Sequence, residues 1–193
     1  FINSTQDAGV FLTGSLQRPD EPIQYAFSSA FVDLDGDGWQ DLVVASDFES
    51  GQLFWNNQDG TFEEGTEAAG FGLARNGMGL ATGDFDGDGF LDVFVSSIND
   101  HRLYRNRGDR TFEEVSSRVE GGAGWGWGSS FFDYDNDGAL DLVMASGYQD
   151  ASVRSLSPTR LWRNVGGVFF ETGSLLGIDD EGSGKGVAVF DYD

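Results

Sequence analysis

Short apolar runs alternate with polar, glycine-rich turns along the whole of this 193-residue chain. The clearest runs are five residues long and apolar on both faces, which is typical of β-strands buried between neighbouring sheets. A run rich in Gly, Ser and Ala precedes each of them and is predicted to form another strand. The three copies of the buried run are 42–46, 93–97 and 142–146. The pattern predicts many short strands separated by turns, with no convincing helix.

Two further segments complete each repeat. The first ends on asparagine in every copy, at 53–56, 103–106 and 161–164. After a turn comes a second segment that contains Phe and Glu, at 61–64, 111–114 and 169–171. A four-stranded unit repeated at this length is typical of a β-propeller blade. The predicted fold is therefore all-β, with blades of four antiparallel strands.

Aligning the repeats predicts how the blades are arranged along the chain. We treat 1–193 as a single propeller segment with about three full blades and two partial ones. The full blades are predicted at 25–76, 77–123 and 124–183.

Both ends of the sequence are expected to be parts of blades. Residues 1–24 are predicted to end a preceding blade, because 1–9 match 62–70 in position, and residues 184–193 to begin a further one. Propellers use about 4–8 blades, which indicates a segment of a longer chain. Alternatively, the two partial blades complement each other, within one chain or between copies. An insertion at 151–159 is interpreted as a tolerated loop extension or as part of a binding face.

A motif of four aspartates, Asp-x-Asp-x-Asp-Gly-x-x-Asp, lies before each buried run. Its copies begin 84 − 33 = 51 and 133 − 84 = 49 residues apart. Four carboxylates this close repel one another unless a cation lies between them, and oxygen ligands on a flexible loop favour Ca²⁺. We call the three copies loop 1 (33–41), loop 2 (84–92) and loop 3 (133–141), and two further aspartates open a fourth copy. The predicted ligands are Asp33, Asp35, Asp37, Asp41, Asp84, Asp86, Asp88, Asp92, Asp133, Asp135, Asp137, Asp141, Asp191 and Asp193.

Other loop positions fit the same calcium site. Position 6 is glycine in all three loops, which permits a sharp turn. Asn136 replaces glycine at position 4 of loop 3 and tolerates left-handed backbone angles. Position 7 is predicted to add a backbone carbonyl oxygen, from Trp39, Phe90 and Ala139. Position 12, where an EF-hand carries a bidentate Glu, is apolar here, so the loops are not EF-hands. A set of purely acidic surface turns is the alternative.

The whole chain resembles a known repeat family. The string 84–92, followed by 103–106 and then Thr111-Phe112, is similar to the FG-GAP/VCBS repeat. That repeat occurs in integrin α-subunit propellers, in bacterial surface and secreted proteins of the ASPIC/UnbV type, and in some fungal propeller lectins. The resemblance implies a calcium-stabilised β-propeller, usually extracellular, used for adhesion, glycan binding or scaffolding. The last repeat is truncated, and no ASPIC/UnbV tail can be assigned.

Composition narrows the classes of partner. The formal charge of −22 argues against binding to nucleic acid or insertion at an anionic membrane, because both demand basic surface. Without cysteine there is neither a disulfide nor a thiolate metal site. No apolar run approaches the ~20 residues that span a bilayer. His101 is the single histidine, and no catalytic pair or triad is recognisable, so no enzyme is predicted.

Two features point to ligands, and each has a plainer alternative. Trp125 and Trp127, set among glycines on a predicted inner strand, offer stacking faces for a sugar or pack between blades. The tripeptide 107–109 spells Arg-Gly-Asp, an integrin-recognition sequence, but it occupies a hairpin turn in which Gly and Asp are expected anyway.

The sequence therefore predicts a non-enzymatic, extracellular Ca²⁺-binding propeller that acts as a structural or adhesive scaffold. The alternatives are a carbohydrate-binding propeller lectin and a self-assembling surface or filament subunit. Expected partners are a protein or glycan ligand at the cell surface, or other copies of the chain.

Overall fold

The computed structural model describes residues 5–10, 25–72, 74–148 and 157–190. Across these residues, the β-strands form three antiparallel sheets of four strands each. Strands that follow one another along the chain are neighbours in each sheet. The predicted all-β fold of four-stranded blades is confirmed. Within this part of the chain the three sheets do not close into a ring.

Each sheet, called a blade below, contains the four strands of one repeat. Blade 1 comprises β1 (Ala26–Val32), β2 (Asp41–Ser46), β3 (Gln52–Asn56) and β4 (Phe62–Glu64). Blade 2 comprises β5 (Gly79–Gly83), β6 (Asp92–Ser96), β7 (Arg102–Asn106) and β8 (Phe112–Glu114). Blade 3 comprises β9 (Gly126–Phe132), β10 (Asp141–Ser146), β11 (Arg160–Val165) and β12 (Val168–Glu171).

Helix is almost absent from the described residues. A 3-10 turn covers Ser116–Arg118, and a single α-helical turn, α1 (Gly173–Leu176), follows β12. The α-helical turn ends at Gly177, whose φ of 72° is left-handed and suits glycine. An element this short shows no apolar periodicity, which explains why the sequence pattern did not predict it.

The middle strands are buried on both sides because the blades pack face to face. Every residue of β2 and β6 is buried, as their continuous apolar runs predicted. The cluster between blades 1 and 2 includes Val43, Leu53, Val93 and Tyr104. The cluster between blades 2 and 3 includes Phe94, Leu103, Leu142 and Trp162. The core thus lies between sheets, and each repeat buries its apolar residues only against its neighbours.

The first strands of the blades lie next to one another, with β5 in contact with both β1 and β9. The fourth strands, by contrast, lie at the outer edge of each sheet. The antiparallel order places the loops between first and second strands at the same end as the turns between third and fourth strands. We call this the loop end and the opposite side the connector end.

The segment 5–10 has the same local structure as 66–71. In both segments a glycine N–H bonds the carbonyl three residues earlier, at 3.1 Å for Gly9 and 3.0 Å for Gly70. In both segments an alanine carbonyl accepts the N–H of a phenylalanine that begins a fourth strand. Ala8 accepts from Phe62 of β4, and Ala69 accepts from Phe112 of β8. This packing anchors the N-terminal segment to blade 1.

Some predicted features lie outside the described residues. They are residues 1–4 and 11–24 of the first partial blade, the part of the insertion at 151–156, and the fourth loop with Asp191 and Asp193. No helix in the four described ranges has the length and apolar character needed to cross a membrane.

Candidate metal centres

The first aspartate of each loop organises the loop backbone. In loop 2, Gly87 and Asp88 donate their N–H groups to Asp84 Oδ1 at 2.8 and 3.1 Å. Gly89 donates to Asp84 Oδ2 at 2.9 Å. Loop 1 makes all three matching bonds to Asp33, and loop 3 makes the bonds from Asp137 and Gly138 to Asp133. The nine-residue spacing thus folds into the same turn three times.

Two positions of each loop have left-handed backbone angles. At position 6, Gly38, Gly89 and Gly138 have φ values of 88°, 92° and 90°. At position 4, Asn136 has a φ of 57°, where the other two loops have glycine at 74°. Asparagine is one of the few residues with a side chain that adopts this region readily, so loop 3 keeps the turn without glycine.

The ninth-position aspartates connect the loops to the third strands. Asp92 accepts the N–H of Phe85 at Oδ2, 3.0 Å away, and that of Asn106 at Oδ1, 2.8 Å away. Asp41 and Asp141 accept the equivalent pairs of N–H groups. All three carboxylates are buried. These aspartates were predicted only as ligands, and the structure adds a role in holding the blade together.

Burial also makes these three carboxylates costly to ionise. It raises the pKa of Asp92 to about 7; the charges of Asp86 and Asp88 act in the same direction, and the two N–H donors oppose them. Burial likewise raises the pKa of Asp41 and of Asp141. None of the three has an ion-pair partner among the described residues. A nearby cation would favour the ionised carboxylates.

The loops bring carboxylate oxygens together in a way that fits Ca²⁺. In each loop, oxygens from three aspartates lie within 4.8 Å of one another. The groups are Asp33, Asp35 and Asp37; Asp84, Asp86 and Asp92; and Asp133, Asp135 and Asp141. Asp86 Oδ1 is buried without a hydrogen-bond donor in the described structure, a costly arrangement that a bound cation relieves. An all-oxygen donor set on a loop matches calcium chemistry.

The remaining predicted ligands lie outside these groups. At position 5 of loops 2 and 3, Asp88 and Asp137 accept the N–H of the position-7 residue, each at 3.0 Å. Asp41 is likewise outside the loop 1 group. Coordination by these aspartates and by the carbonyls of Trp39, Phe90 and Ala139 stays a prediction.

Arginines contact all three loops, which the sequence did not predict. Arg105 of β7 donates from Nε to Asp86 Oδ2 and from Nη2 to Asp88 Oδ2, both at 2.5 Å. Arg163, at the same position of β11, lies 2.9 Å from one oxygen each of Asp135 and Asp137. The matching residue of blade 1 is a tryptophan. There Arg110 of blade 2 reaches across and donates from Nε to Asp35 Oδ2 at 2.6 Å.

Asparagines near the ends of β7 and β11 tie adjacent blades together. Asn106 Nδ2 donates to the carbonyl of Leu34 in loop 1 at 2.6 Å and to that of Leu91 in loop 2 at 3.0 Å. Asn164 makes the equivalent pair of bonds to loops 2 and 3. Both side chains are buried. The recurrence of asparagine at this position was visible in the sequence, but its partners in the preceding loop are more than 70 residues away.

Comparison with known proteins identifies the family. The model of the FG-GAP-like repeat matches residues 33–95 and again residues 85–144. Together the two matches cover more than half of the chain. The first includes loops 1 and 2, and the second includes loop 3 and all of loop 2 except Asp84. The chain belongs to the FG-GAP-like repeat family. The narrower assignment to the ASPIC/UnbV type finds no support in this match.

Curated relatives contain similar FG-GAP-like sequence. Integrin alpha-6 of Gallus gallus is 31% identical over 152 residues, which are 69% of this chain and 13% of the integrin. Cartilage acidic protein 1 of Homo sapiens is 30% identical over 151 residues, 73% of this chain and 22% of that protein. Integrin alpha-4 of Xenopus laevis is 33% identical over 139 residues, 63% of this chain and 13% of the integrin. The chain thus spans less than a quarter of each of these relatives.

A solved structure with some similarity is a lectin of Agrocybe aegerita, described as recognising non-reducing terminal N-acetylglucosamine. It is 21% identical and covers 74% of this chain and 36% of the lectin, with a TM-score of 0.43. A similarity this low adds nothing to the description of this FG-GAP-like chain.

The two tryptophans predicted as ligand-binding have separate environments in this FG-GAP-like chain. The Trp125 ring stacks on Tyr148, with 4.3 Å between ring centroids. Trp127 donates from Nε1 to the Gly147 carbonyl at 2.8 Å, and Lys185 Nζ lies 3.3 Å from its ring centroid. The Phe27 ring of β1 also packs edge-on against the Trp127 ring of β9, with 6.0 Å between the ring centroids. The first strands of blades 1 and 3 therefore converge here. Sugar binding by Trp125 and Trp127 stays a prediction.

The Arg-Gly-Asp tripeptide lies in the turn between β7 and β8. The Asp109 carboxylate accepts the N–H and hydroxyl of Thr111 at 3.1 and 2.5 Å. Asp59 makes the same two bonds to Thr61 in blade 1, where no such tripeptide exists. Gly108 has a φ of 73° and lies against the Phe90 ring. These contacts favour the interpretation of 107–109 as an ordinary turn.

Proposed function

We propose that this chain is part of a calcium-stabilised, non-enzymatic FG-GAP-like propeller that acts as an adhesion-type scaffold outside the cell. The observation that carries the proposal is the thrice-repeated loop, in which three carboxylates converge within 4.8 Å. The buried Asp86 Oδ1, which has no hydrogen-bond donor among the described residues, adds to it, because a cation at the loop would satisfy that oxygen. Extracellular calcium is millimolar, which suits loop sites with dissociation constants of roughly 10⁻⁴–10⁻³ M.

Bound calcium would stabilise the fold directly. Each loop joins two strands and, through its ninth aspartate, a third, so a cation that crosslinks the loop carboxylates holds most of a blade. By mass action, a site at 100-fold saturation adds about 2.7 kcal/mol to the free energy of unfolding. We assign as ligands the four aspartates and the position-7 carbonyl of each loop. The fourth loop, with Asp191 and Asp193, would form a further site only with residues beyond Asp193.

The experiment that tests the metal sites is a calorimetric titration of the metal-stripped chain with calcium chloride. We expect saturation at about three ions per chain, one for each aspartate group. Asp86→Asn should remove one of them. The matched control is Glu67→Gln, which removes one negative charge from an exposed residue of a connector. Absence of saturable heat in the unmodified chain would overturn the proposal.

We further propose that the array continues beyond blade 1. Phe31 of β1 is 58% exposed, although the residue at the same position of blade 3, Phe131, stacks on Phe85 of the preceding blade. A preceding blade, from a longer chain or from a second copy, would cover Phe31 in the same way. The blade divisions at 25–76, 77–123 and 124–183, with partial blades at 1–24 and 184–193, belong to this proposal. Analytical ultracentrifugation of the 193-residue chain measures its oligomeric state. It distinguishes a monomer from a dimer in which a second copy covers Phe31.

The partner of the scaffold is proposed to be a protein or glycan that binds the connector end. Tyr148, 36% exposed and stacked on Trp125, gives that end an aromatic surface. This pair favours the glycan alternative, because sugars stack on aromatic rings. A glycan screen with the unmodified chain and with Trp125→Ala tests it. Binding that is lost in the variant supports a lectin, and a blank screen removes that alternative.

A further inference from the structure

The arginines of β7 and β11 bind the same carboxylates that the proposed calcium sites require. Arg105 holds Oδ2 of both Asp86 and Asp88, which are positions 3 and 5 of loop 2. The convergent group of loop 2 contains Asp84, Asp86 and Asp92 but not Asp88. One oxygen of Asp88 thus bonds a guanidinium and the other bonds the Phe90 N–H. The fifth-position carboxylate thus lies outside the group and bonds the arginine.

Loop 3 repeats this arrangement with a different set of neighbours. Arg163 Nη2 lies 2.9 Å from Asp135 Oδ2 and 2.9 Å from Asp137 Oδ2. Again the convergent group contains positions 1, 3 and 9, and Asp137 is outside it. In both blades, therefore, an arginine of the third strand bonds the fifth carboxylate, and that carboxylate lies outside the convergent group.

Loop 1 is the internal comparison, because its blade has Trp55 at the arginine position. Here the convergent group contains positions 1, 3 and 5, so Asp37 takes part. Asp37 is held by a neutral group, the Gln58 amide, whose Nε2 donates to Oδ2 at 2.8 Å. A cation does contact this loop, but Arg110 binds only Asp35 and comes from the next blade, where it also lies over the Trp55 ring.

We propose that Arg105 and Arg163 are built-in counter-cations that compete with calcium for loops 2 and 3. This inference rests on the proposed calcium-binding function. The guanidinium neutralises part of the loop charge and holds the fifth carboxylate, so the loop has a satisfied arrangement without metal. Arg105 must leave Asp88 before that carboxylate can join the other ligands. In loop 1 the fifth carboxylate, Asp37, bonds the Gln58 amide and no arginine among the described residues, so this competition does not extend to it.

Competition of this kind has two opposite consequences for one substitution. Arg105→Gln removes the competitor, so loop 2 should bind calcium more tightly. The same change removes the ion pairs that offset repulsion between the loop carboxylates, so the metal-free chain should become less stable. A merely structural arginine would give only the second effect. The sign of the change in calcium affinity therefore separates the two roles.

The test is an NMR titration of the metal-stripped chain with calcium, which follows each loop separately. The amide signals of Gly38, Gly89 and Gly138 report loops 1, 2 and 3, because each of these N–H groups donates within its own loop. For Arg105→Gln we expect the loop 2 dissociation constant to fall about two- to fivefold, as breaking a partly exposed ion pair predicts. The constants for loops 1 and 3 should stay unchanged.

The matched control is Arg107→Gln. Arg107 lies two residues further along, carries the same charge, and pairs with Glu113 at 3.6 Å instead of with a loop. The Arg107→Gln substitution should leave the calcium dissociation constant of loop 2 unchanged. Equal effects of the two variants would overturn the inference and leave the proposed calcium sites standing. If the unmodified chain binds no calcium in any loop, the proposed function fails and the inference fails with it.

A second measurement avoids substitution altogether. The Nε–H signal of Arg105 in the unmodified chain reports its bond to Asp86 directly. It should shift in step with the Gly89 amide as calcium is added, whereas the Arg107 Nε–H signal should not. An Arg105 signal that stays in place while loop 2 fills would contradict the competition, even if Arg105→Gln did not fold.

Discussion

The side-chain amide of Asn106, in the third strand of blade 2, donates a 2.6 Å hydrogen bond to the carbonyl of Leu34 in the aspartate loop of blade 1. The same nitrogen also donates to the Leu91 carbonyl of its own loop, and the Asn106 side-chain oxygen accepts the Gly108 N–H. One buried side chain thus joins two aspartate loops and a hairpin turn. The conformation of the aspartate loops is therefore coupled to the packing between blades 1 and 2.

Asn106→Ala should destabilise the chain by about 1–3 kcal/mol, because it leaves buried backbone groups without partners. Asn57→Ala is the matched control, since the Asn57 side-chain amide bonds the Thr61 hydroxyl at the protein surface and its loss should cost far less. Urea unfolding of both variants at fixed calcium concentration measures the difference. Equal free energies of unfolding for the two variants would contradict the role assigned to Asn106.

Tyr104 should contribute both its ring and its hydroxyl to the interface of blades 1 and 2. The ring is fully buried against Phe71 at 4.4 Å between centroids, and the hydroxyl donates to the Gly72 carbonyl. We expect Tyr104→Phe to cost about 1 kcal/mol, the contribution of one hydrogen bond. Tyr104→Ala should cost about 3–5 kcal/mol, because it also opens a cavity. Unfolding by denaturant ranks the two variants, and similar costs would refute this division.

His101 should stay neutral over most of the pH range in which histidine usually titrates. It is buried, its Nδ1 accepts the Ser97 N–H at 2.8 Å, and burial lowers its pKa to about 4. The nearby Arg160 acts in the same direction and Asp100 opposes it. NMR titration is unambiguous because the chain has one histidine. A midpoint near the usual 6.5 would contradict this environment.

The shift of His101 also has a consequence for stability. Since the folded pKa lies below the unfolded value of about 6.5, the unfolded chain binds this proton first as the pH falls. The contribution of neutral His101 is therefore fully present above about 6.5 and is lost progressively as the pH falls through 4. His101→Gln should remove the contribution of His101 to the pH dependence of the free energy of unfolding. The contribution of the carboxylates to that pH dependence should remain.

The sequence predicted the strands and the loop conformation well, because both depend on local pattern. The spacing of the repeats and their apolar runs located the buried strands. The left-handed backbone angle of Asn136 followed from its residue type. Contacts between repeats were not predictable in this way. Arg110 meets Asp35 at a separation of 75 residues, so only the packing of blades reveals that pair.

For some residues the structure adds a contact that the sequence pattern does not contain. The ninth aspartates were predicted as ligands from their spacing, yet their hydrogen bonds to third-strand N–H groups were not visible in it. Trp125 and Trp127 were grouped because they are close in sequence. In the fold, one stacks on Tyr148 and the other lies under Lys185, so proximity along the chain did not produce a shared surface.

The most direct test of the central claim is a thermal melt of the chain in excess calcium and again after EDTA, with a metal count on the purified protein. We expect about three calcium ions per chain, one for each aspartate group. Each saturated site adds about 2.7 kcal/mol, and each kcal/mol raises the Tm of a chain this size by about 2–4 °C. EDTA should therefore lower the Tm by ~10 °C or more. An unchanged Tm and no bound metal would mean that the aspartate loops are only acidic turns.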